Sequence, residues 1–130
     1  MNAQTYANVM ASLYGEAFAH ARYLSFARVA RDRGDHDLAQ AFEGIASVEL
    51  HEHFEELAAL VGLVGADADN VVASIRDEDN EVEAVYRLYA EHARVAGEDR
   101  VADRFEEMRE DELAHLKLLE TLLERLEVPA

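Results

Sequence analysis

Val48-Glu49-Leu50-His51-Glu52-His53 and Asp111-Glu112-Leu113-Ala114-His115 are the two stretches whose reading decides the fold. Each lies in a long run with helical periodicity and no helix breaker. Residues three apart share a helix face, so a Glu followed three positions later by a Glu or His sets two metal-ligating groups side by side. Bundle proteins hold paired iron or manganese ions with one Glu from each of two helices and such a pair from each of the other two. The rest of the chain must then bring two more helices, each with an inward carboxylate.

Composition points the same way. At 130 residues the chain is long enough for one domain with a single core, spanning 1–130. Half of it is apolar, with one Pro and no Trp, and Ala, Leu, Glu and Arg favour helix throughout. No apolar run is long enough for a membrane span, and the first residues lack the basic and apolar regions of a signal peptide. The expected location is therefore cytoplasmic. Without Cys there is no disulfide, thiolate metal site or catalytic thiol. A formal charge of -16, from 28 acidic and 12 basic residues, argues against nucleic acid or an anionic membrane as partner.

In chain order, a first helix is expected over about 3–33, with Tyr6, Val9, Leu13, Leu24 and Ala27 on one stripe and Glu16 and His20 within it. Gly34 suits the position after its C-cap, and Asp35 the N-cap of a second helix over about 37–61. Residues 66–76 read as the longest connection, holding at most one short helical turn. A third helix is expected over about 77–96 and a fourth over about 99–126, with Gly97 between them and Pro129 beyond.

A constant offset of 63 relates the halves, about 3–62 and 77–127. Tyr23 matches Tyr86, Ala27 Ala90, Gly34 Gly97, Ala39 Ala102, Phe42 Phe105 and Glu49 Glu112. Each half is then a helix hairpin, and the expected fold is all-α: a ferritin-like four-helix bundle of two repeated hairpins joined by a long crossover. A carboxylate on an inward stripe is costly unless paired, and a dication neutralises several.

These residues resemble rubrerythrin and its relatives in the ferritin-like superfamily over nearly the whole chain. Glu16 with Tyr23 and Phe26-Ala27, Phe42 with Glu49, Glu78-x-x-Glu81 with Tyr86 and Tyr89-Ala90, and Phe105 with Glu112-x-x-His115 carry the likeness. Glu78 falls one place off the internal offset from Glu16, a discrepancy that family shares. The resemblance implies two iron ions, with manganese or a mixed pair as variants. Glu49 and Glu112 would bridge them, Glu16 would be terminal on one ion, and Glu78 and His115 on the other. Glu81 would be a mobile extra carboxylate. Where the family has Glu-x-x-His on the second helix, this chain has Glu49-x-x-Glu52, with His53 next door. Glu52 is the preferred ligand because its helix angle reproduces that of His115, giving a carboxylate-rich site similar to symerythrin; His53 is the alternative.

The implied function is a non-haem oxidoreductase reducing hydrogen peroxide or dioxygen, a rubrerythrin-like peroxidase with Glu81, Tyr23 and Tyr86 in catalytic or supporting roles. With no rubredoxin-like thiolate domain among these residues, electrons would come from an external donor protein. The alternatives are ferroxidase or iron-handling activity, a metal-free acidic interaction bundle, and an oxygenase. A homodimer is expected, with exchange of helix pairs as one arrangement. His51, His36 and His92 read as surface residues, and Asp111 as an orienting group.

Overall fold

The computed structural model describes residues 1–127. It divides into two compact units, Met1–Val64 and Gly65–Ala130, and no strand occurs among the described residues. In the first unit α1 (Ala3–Asp32) is followed by α2 (His36–Val48), a π-helical turn π1 (Glu49–Phe54) and α3 (Glu55–Val61). In the second, α4 (Asp67–Asn80), π2 (Glu81–Val85) and α5 (Tyr86–Val95) precede α6 (Asp99–Glu127). Backbone angles stay right-handed helical through both π turns, so each continues the helix around it. Each unit is therefore a two-helix hairpin. Pro129 lies outside the described residues.

The third helix begins ten residues earlier than its sequence suggests, at Asp67 rather than 77. Val71, Val72 and Ile75 recur at helical spacing behind an Asp- and Asn-rich start, and the packing of α4 on α6 overrides their weak helix propensity. Asn70 closes the entry by accepting from the Gly65 N–H at 2.8 Å and donating to its carbonyl at 3.0 Å. Residues 66–76 are thus mostly helix, and the segment between α3 and α4 is short.

The hairpin turns share one construction. At the first, Asp35 N–H donates to Ala30 O (2.9 Å) and Gly34 N–H to Arg31 O (2.9 Å); at the second, Glu98 N–H donates to Ala93 O (2.8 Å) and Gly97 N–H to Arg94 O (3.0 Å). This closure needs a left-handed residue, and Gly34 (φ 85°) and Gly97 (φ 75°) supply it. Asp35 then accepts from Leu38 N–H at 3.1 Å as the N-cap of α2.

Alanine lets the two helices of each hairpin approach closely beside the turn. Ala27, Ala30 and Ala39 are buried in the first unit, and Ala90, Ala93 and Ala102, each 63 residues on, in the second. One layer further in, Tyr23 stacks on Phe42 (5.9 Å) with Phe26 edge-on to the same ring (5.5 Å). Tyr86 and Tyr89 repeat that arrangement around Phe105 (6.0 and 5.5 Å). The far end of the first hairpin is filled by Val9, Leu13 and Ala58, with Phe54, Leu57 and Val61 against them.

Glycine substitutions separate backbone strain from packing. A Cβ built on Gly34 or on the helical Gly44 meets no atom within 4 Å. Gly34→Ala should destabilise by about 1–2 kcal/mol through its left-handed φ alone, whereas Gly44→Ala should stabilise by about 0.5–1 kcal/mol. Urea unfolding of the two variants checks the opposite signs.

Candidate metal centre

Two groups of ligands form, one in each hairpin. Glu16 on α1 meets Glu49 and His53 on π1; Glu78 on α4 meets Glu112 and His115 on α6. In each group one donor atom per residue lies within 4.8 Å of the others. His53 Nδ1 stands 3.3 Å from Glu16 Oε2 and 3.4 Å from Glu49 Oε2. His115 Nδ1 stands 3.2 Å from Glu112 Oε2 and 3.8 Å from Glu78 Oε1. Both groups have carboxylates about one-fifth exposed and a half-exposed imidazole: 26, 18 and 50% for Glu16, Glu49 and His53, and 22, 18 and 57% for Glu78, Glu112 and His115. The repeat therefore extends from the fold to the chemistry.

The π turns explain the register. A π turn takes up one extra residue without breaking the helix. Before π1 the halves are offset by 63 (Glu49 and Glu112); after it the offset is 62, for His53 with His115, Phe54 with Leu116, Leu57 with Leu119 and Val61 with Leu123. The extra residue brings His53, four positions after Glu49, to the place His115 takes three positions after Glu112. Glu52 is exposed and belongs to neither group. The preference for Glu52 came from carrying the offset of 63 past Glu49, where the helix changes pitch. π2 is the counterpart on the opposite helix: the offset is 62 from Glu16 to Glu78 and 63 from Tyr23 to Tyr86, so the inserted residue lies in the turn between them.

A cross-helix tie accompanies each group. His20, one turn after Glu16, donates from Nδ1 to the Ala46 carbonyl at 2.7 Å. Arg109, one turn before Glu112, donates from Nε to the Val82 carbonyl at 2.6 Å. Ala46 and Arg109 are equivalent by the repeat, as are His20 and Val82, so the same tie is made with donor and acceptor helices exchanged. Arg109 carries no motif of its own. Its equivalence to a residue facing His20 is the signal that finds it.

The remaining candidates are placed individually. Glu81 opens π2, is half-buried and lies outside the Glu78 group. Burial first, then the charge of Glu81 and the neighbouring Tyr89, push the Tyr86 phenol above its ordinary range, so Tyr86 keeps its proton. Tyr23 packs on Phe42, and neither Tyr23 nor Tyr86 makes a hydroxyl hydrogen bond among the described residues. His51 pairs with Glu55 at 3.1 Å on the surface, His36 lies in the turn beside Arg31, and His92 and Asp111 are exposed. An open cleft of about 370 Å³ beside the first group is lined by Ser12, Glu16, His53, Glu56, Leu57 and Leu60.

Both groups fit a divalent cation by donor chemistry: hard carboxylate oxygens with one imidazole nitrogen suit iron or manganese. The sharper test is Glu78 Oε2, a buried acceptor with no hydrogen-bond partner among the described residues. A buried acceptor left unpaired costs about 1–3 kcal/mol, and a cation between Glu78, Glu112 and His115 would satisfy it.

The first group also shows what holds it without metal. The neighbouring Glu49 carboxyl raises Glu16 above the ordinary carboxyl range, and Glu16 lowers Glu49 below it. His53 is raised above its ordinary value by Glu16 first and Glu49 second. Its contribution to metal-free stability is therefore full below about pH 6.5 and lost as pH rises through the raised folded value. Glu49 contributes above the ordinary carboxyl range and loses this as pH falls through its lowered value; Glu16 favours the fold only while protonated. In the metal-free protein the His53 ring should titrate above a free imidazole by NMR, and Glu49→Gln should bring it down. An unchanged His53 titration in that variant would contradict the pairing.

Comparison with known proteins agrees with this geometry. A stretch of 46 residues is 44% identical to nigerythrin of Nitratidesulfovibrio vulgaris, covering 35% of this chain and 23% of that protein. An alignment of 137 positions is 26% identical to rubrerythrin of Porphyromonas gingivalis, covering 95% of this chain and 68% of that protein. The chain thus spans less than a quarter of nigerythrin in that match and about two-thirds of the rubrerythrin. The rubrerythrin family model matches residues 7–123, a span that takes in both ligand groups, both π turns and both alanine seams, and the chain belongs to the rubrerythrin family.

Proposed function

We propose that the protein is a two-metal oxidoreductase that reduces hydrogen peroxide, with iron as the resident metal, Glu16, Glu49 and His53 holding one ion, and Glu78, Glu112 and His115 the other. The observation that carries this reading is the matched pair of groups, each with two carboxylates and one imidazole, on a family background of rubrerythrins. When bound, two iron ions supply Lewis acidity and one electron each, the two electrons that cleavage of an O–O bond requires.

The chain's own residues handle protons and position. For His53 to ligate through Nδ1, a proton bound there must leave, and Glu16 and Glu49 raise the ring's affinity for that proton, so protonation competes with the metal. Glu16 and Glu49 bind as carboxylates, so the raised affinity of Glu16 for a proton also competes with the metal. His20 and Arg109 hold the facing helix of each hairpin by a backbone carbonyl, which fixes the spacing of the ligating side chains. The open cleft beside Glu16 and His53 admits a molecule the size of peroxide. Tyr86, protonated and half-buried beside Glu81, is an O–H donor in the second hairpin. Glu81 is the carboxylate free to change partners, since it lies next to the Glu78 group without belonging to it. Electrons are supplied from outside these residues, which contain no Cys for a thiolate iron site.

Apoprotein titrated with Fe²⁺ or Mn²⁺ should bind two ions per chain and melt at a higher temperature, by mass action on the native state. His53→Ala should weaken one of the two sites by about 10- to 100-fold or more, and Glu52→Ala should leave both intact. Calorimetric stoichiometry decides between them; an equal loss in Glu52→Ala would return that residue to the ligand set.

Reduced, iron-loaded protein should oxidise faster with hydrogen peroxide than with dioxygen in stopped flow. Glu81→Ala should slow the peroxide reaction about tenfold or more while keeping two bound ions. Faster reaction with dioxygen, with Glu81→Ala without effect, would move the assignment to ferroxidase or oxygenase chemistry.

A further inference from the structure

The cleft beside the first ligand group is larger than hydrogen peroxide requires. It measures about 370 Å³, within the range of roughly 300–1,000 Å³ typical of sites that hold small organic molecules. Hydrogen peroxide has two heavy atoms and would occupy only the end at Glu16 and His53. The rest of the wall holds no ligand of the group: Ser12 lies one turn before Glu16 on α1, and Glu56, Leu57 and Leu60 follow His53 on α3.

Leu57 and Leu60, three residues apart on one helix, share a face and form the apolar part of this wall. Leu57 also packs on the cluster of Val9, Leu13 and Ala58, so the hairpin core accounts for it. Leu60 is 66% exposed, and the core does not account for it.

Ser12 adds an independent observation, for which the repeat supplies a control. By the offset of 62 that relates Glu16 to Glu78, its equivalent is Ser74. The Ser74 hydroxyl donates to the Asn70 carbonyl one turn back at 2.9 Å, as Ser25 donates to Ala21 at 3.0 Å, a common way for a helical serine to satisfy itself. Ser12 makes no hydrogen bond among the described residues, and its side chain lines the cleft instead. A hydroxyl in that position can donate to an oxygen of a bound molecule.

Charge narrows the class of molecule. The lining includes no Lys or Arg, and Glu56 adds a carboxylate where the second hairpin has Leu118 at the equivalent position. In a chain carrying -16, this cleft disfavours an anion.

We infer that the cleft admits an uncharged alkyl or aryl hydroperoxide as a second substrate class, with its hydrocarbon part on Leu57 and Leu60 and its peroxide group at the Glu16 and His53 end, within reach of the Ser12 hydroxyl. This rests on the peroxide reduction proposed above. The reaction balances in the same way: ROOH, two electrons and two protons give ROH and water. The O–O bond breaks while the C–O bond is kept, two ferrous ions are each oxidised by one electron, and water in the open cleft supplies both protons. Contacts to the hydrocarbon part supply binding energy remote from the O–O bond, which hydrogen peroxide has no atoms to provide.

The test mixes reduced, iron-loaded protein separately with hydrogen peroxide, cumene hydroperoxide and linoleic acid hydroperoxide, the last an anion at neutral pH. Cumene hydroperoxide should oxidise the protein. Leu60→Asp, at an exposed position, should lower the ratio of its kcat/KM to that of hydrogen peroxide by about tenfold or more. Linoleic acid hydroperoxide should be the slower of the two organic substrates. A second readout is independent of turnover. In protein loaded with redox-inert Zn²⁺, the alcohol product 2-phenyl-2-propanol should saturably shift the methyl NMR signals of Leu57 and Leu60, and leave those of Leu38, at the turn end of the same hairpin, unmoved. The inference falls, and reduction of hydrogen peroxide stands, if hydrogen peroxide oxidises the protein and cumene hydroperoxide does not. It falls equally if Leu60→Asp leaves the ratio unchanged, or if the alcohol moves neither leucine. Faster reaction with linoleic acid hydroperoxide overturns the uncharged class. If none of the three oxidises the protein, the proposed function fails and this inference with it.

Discussion

Glu16 and Glu49 are held side by side, with one donor atom of each within 4.8 Å, and most of the first hairpin serves that proximity. Two carboxylates at this distance repel once both are ionised, so the helices that carry them must be held together by other forces. Three are identifiable. The alanine seam beside the turn lets the backbones approach and the aromatic layer around Phe42 fills the next interval, while the His20 bond to the Ala46 carbonyl fixes the spacing one turn from the acids. The second hairpin meets the same demand with the same seam and aromatic layer, and with Arg109 on Val82 instead of His20 on Ala46. Exposed ion pairs also repeat, Arg31 with Glu43 and Arg94 with Glu106, but such pairs contribute less than about 1 kcal/mol. Packing sets the distance, and the charges are placed on it.

Much of this could be read from the chain because it is written twice. The turn glycines, the N-cap at Asp35 and the alanine and aromatic layers follow from periodicity and the internal offset, while five of the six residues in the two groups were named from the resemblance to rubrerythrins. Two features did not. The start of the third helix was obscured by β-branched Val71 and Val72 among Asp and Asn, where local propensity is weak and packing against α6 decides. His53 was obscured by the assumption of one helical pitch: three residues after Glu49 is Glu52, and only a wider turn brings the fourth into its place. A step in the repeat offset from 63 to 62 is the one-dimensional trace of that turn, and it is visible in the apolar positions Phe54, Leu57 and Val61 as well as in the histidine.

The placement of the two π turns bears on their purpose. One lies on the second helix of the first hairpin, directly at Glu49 and His53; the other lies on the first helix of the second hairpin, just after Glu78. If an insertion had arisen before duplication of an ancestral hairpin, both halves would carry it on the same helix. They carry it on opposite helices, so the halves diverged independently at ligand-bearing turns. A π turn disrupts the regular hydrogen-bond ladder, and without compensation selection would remove it. In the first hairpin it rotates His53 toward Glu16.

In the second hairpin the α-helical spacing of Glu112 and His115 already completes the group, so π2 needs a different return. What it adds is Glu81, the first residue of the turn, which has no equivalent on α1 and lies next to a finished ligand group without joining it. The Arg109 side chain meets the same turn, donating to the Val82 carbonyl one residue on, so the backbone beside Glu81 is anchored. A third acid on this turn adds repulsion to a group that already holds two carboxylates. It is well explained if the negative charge of Glu81 is required beside Glu78 in only one state of that group. On the proposed function the two insertions would divide the work, π1 completing a ligand set and π2 supplying an acid that changes partners.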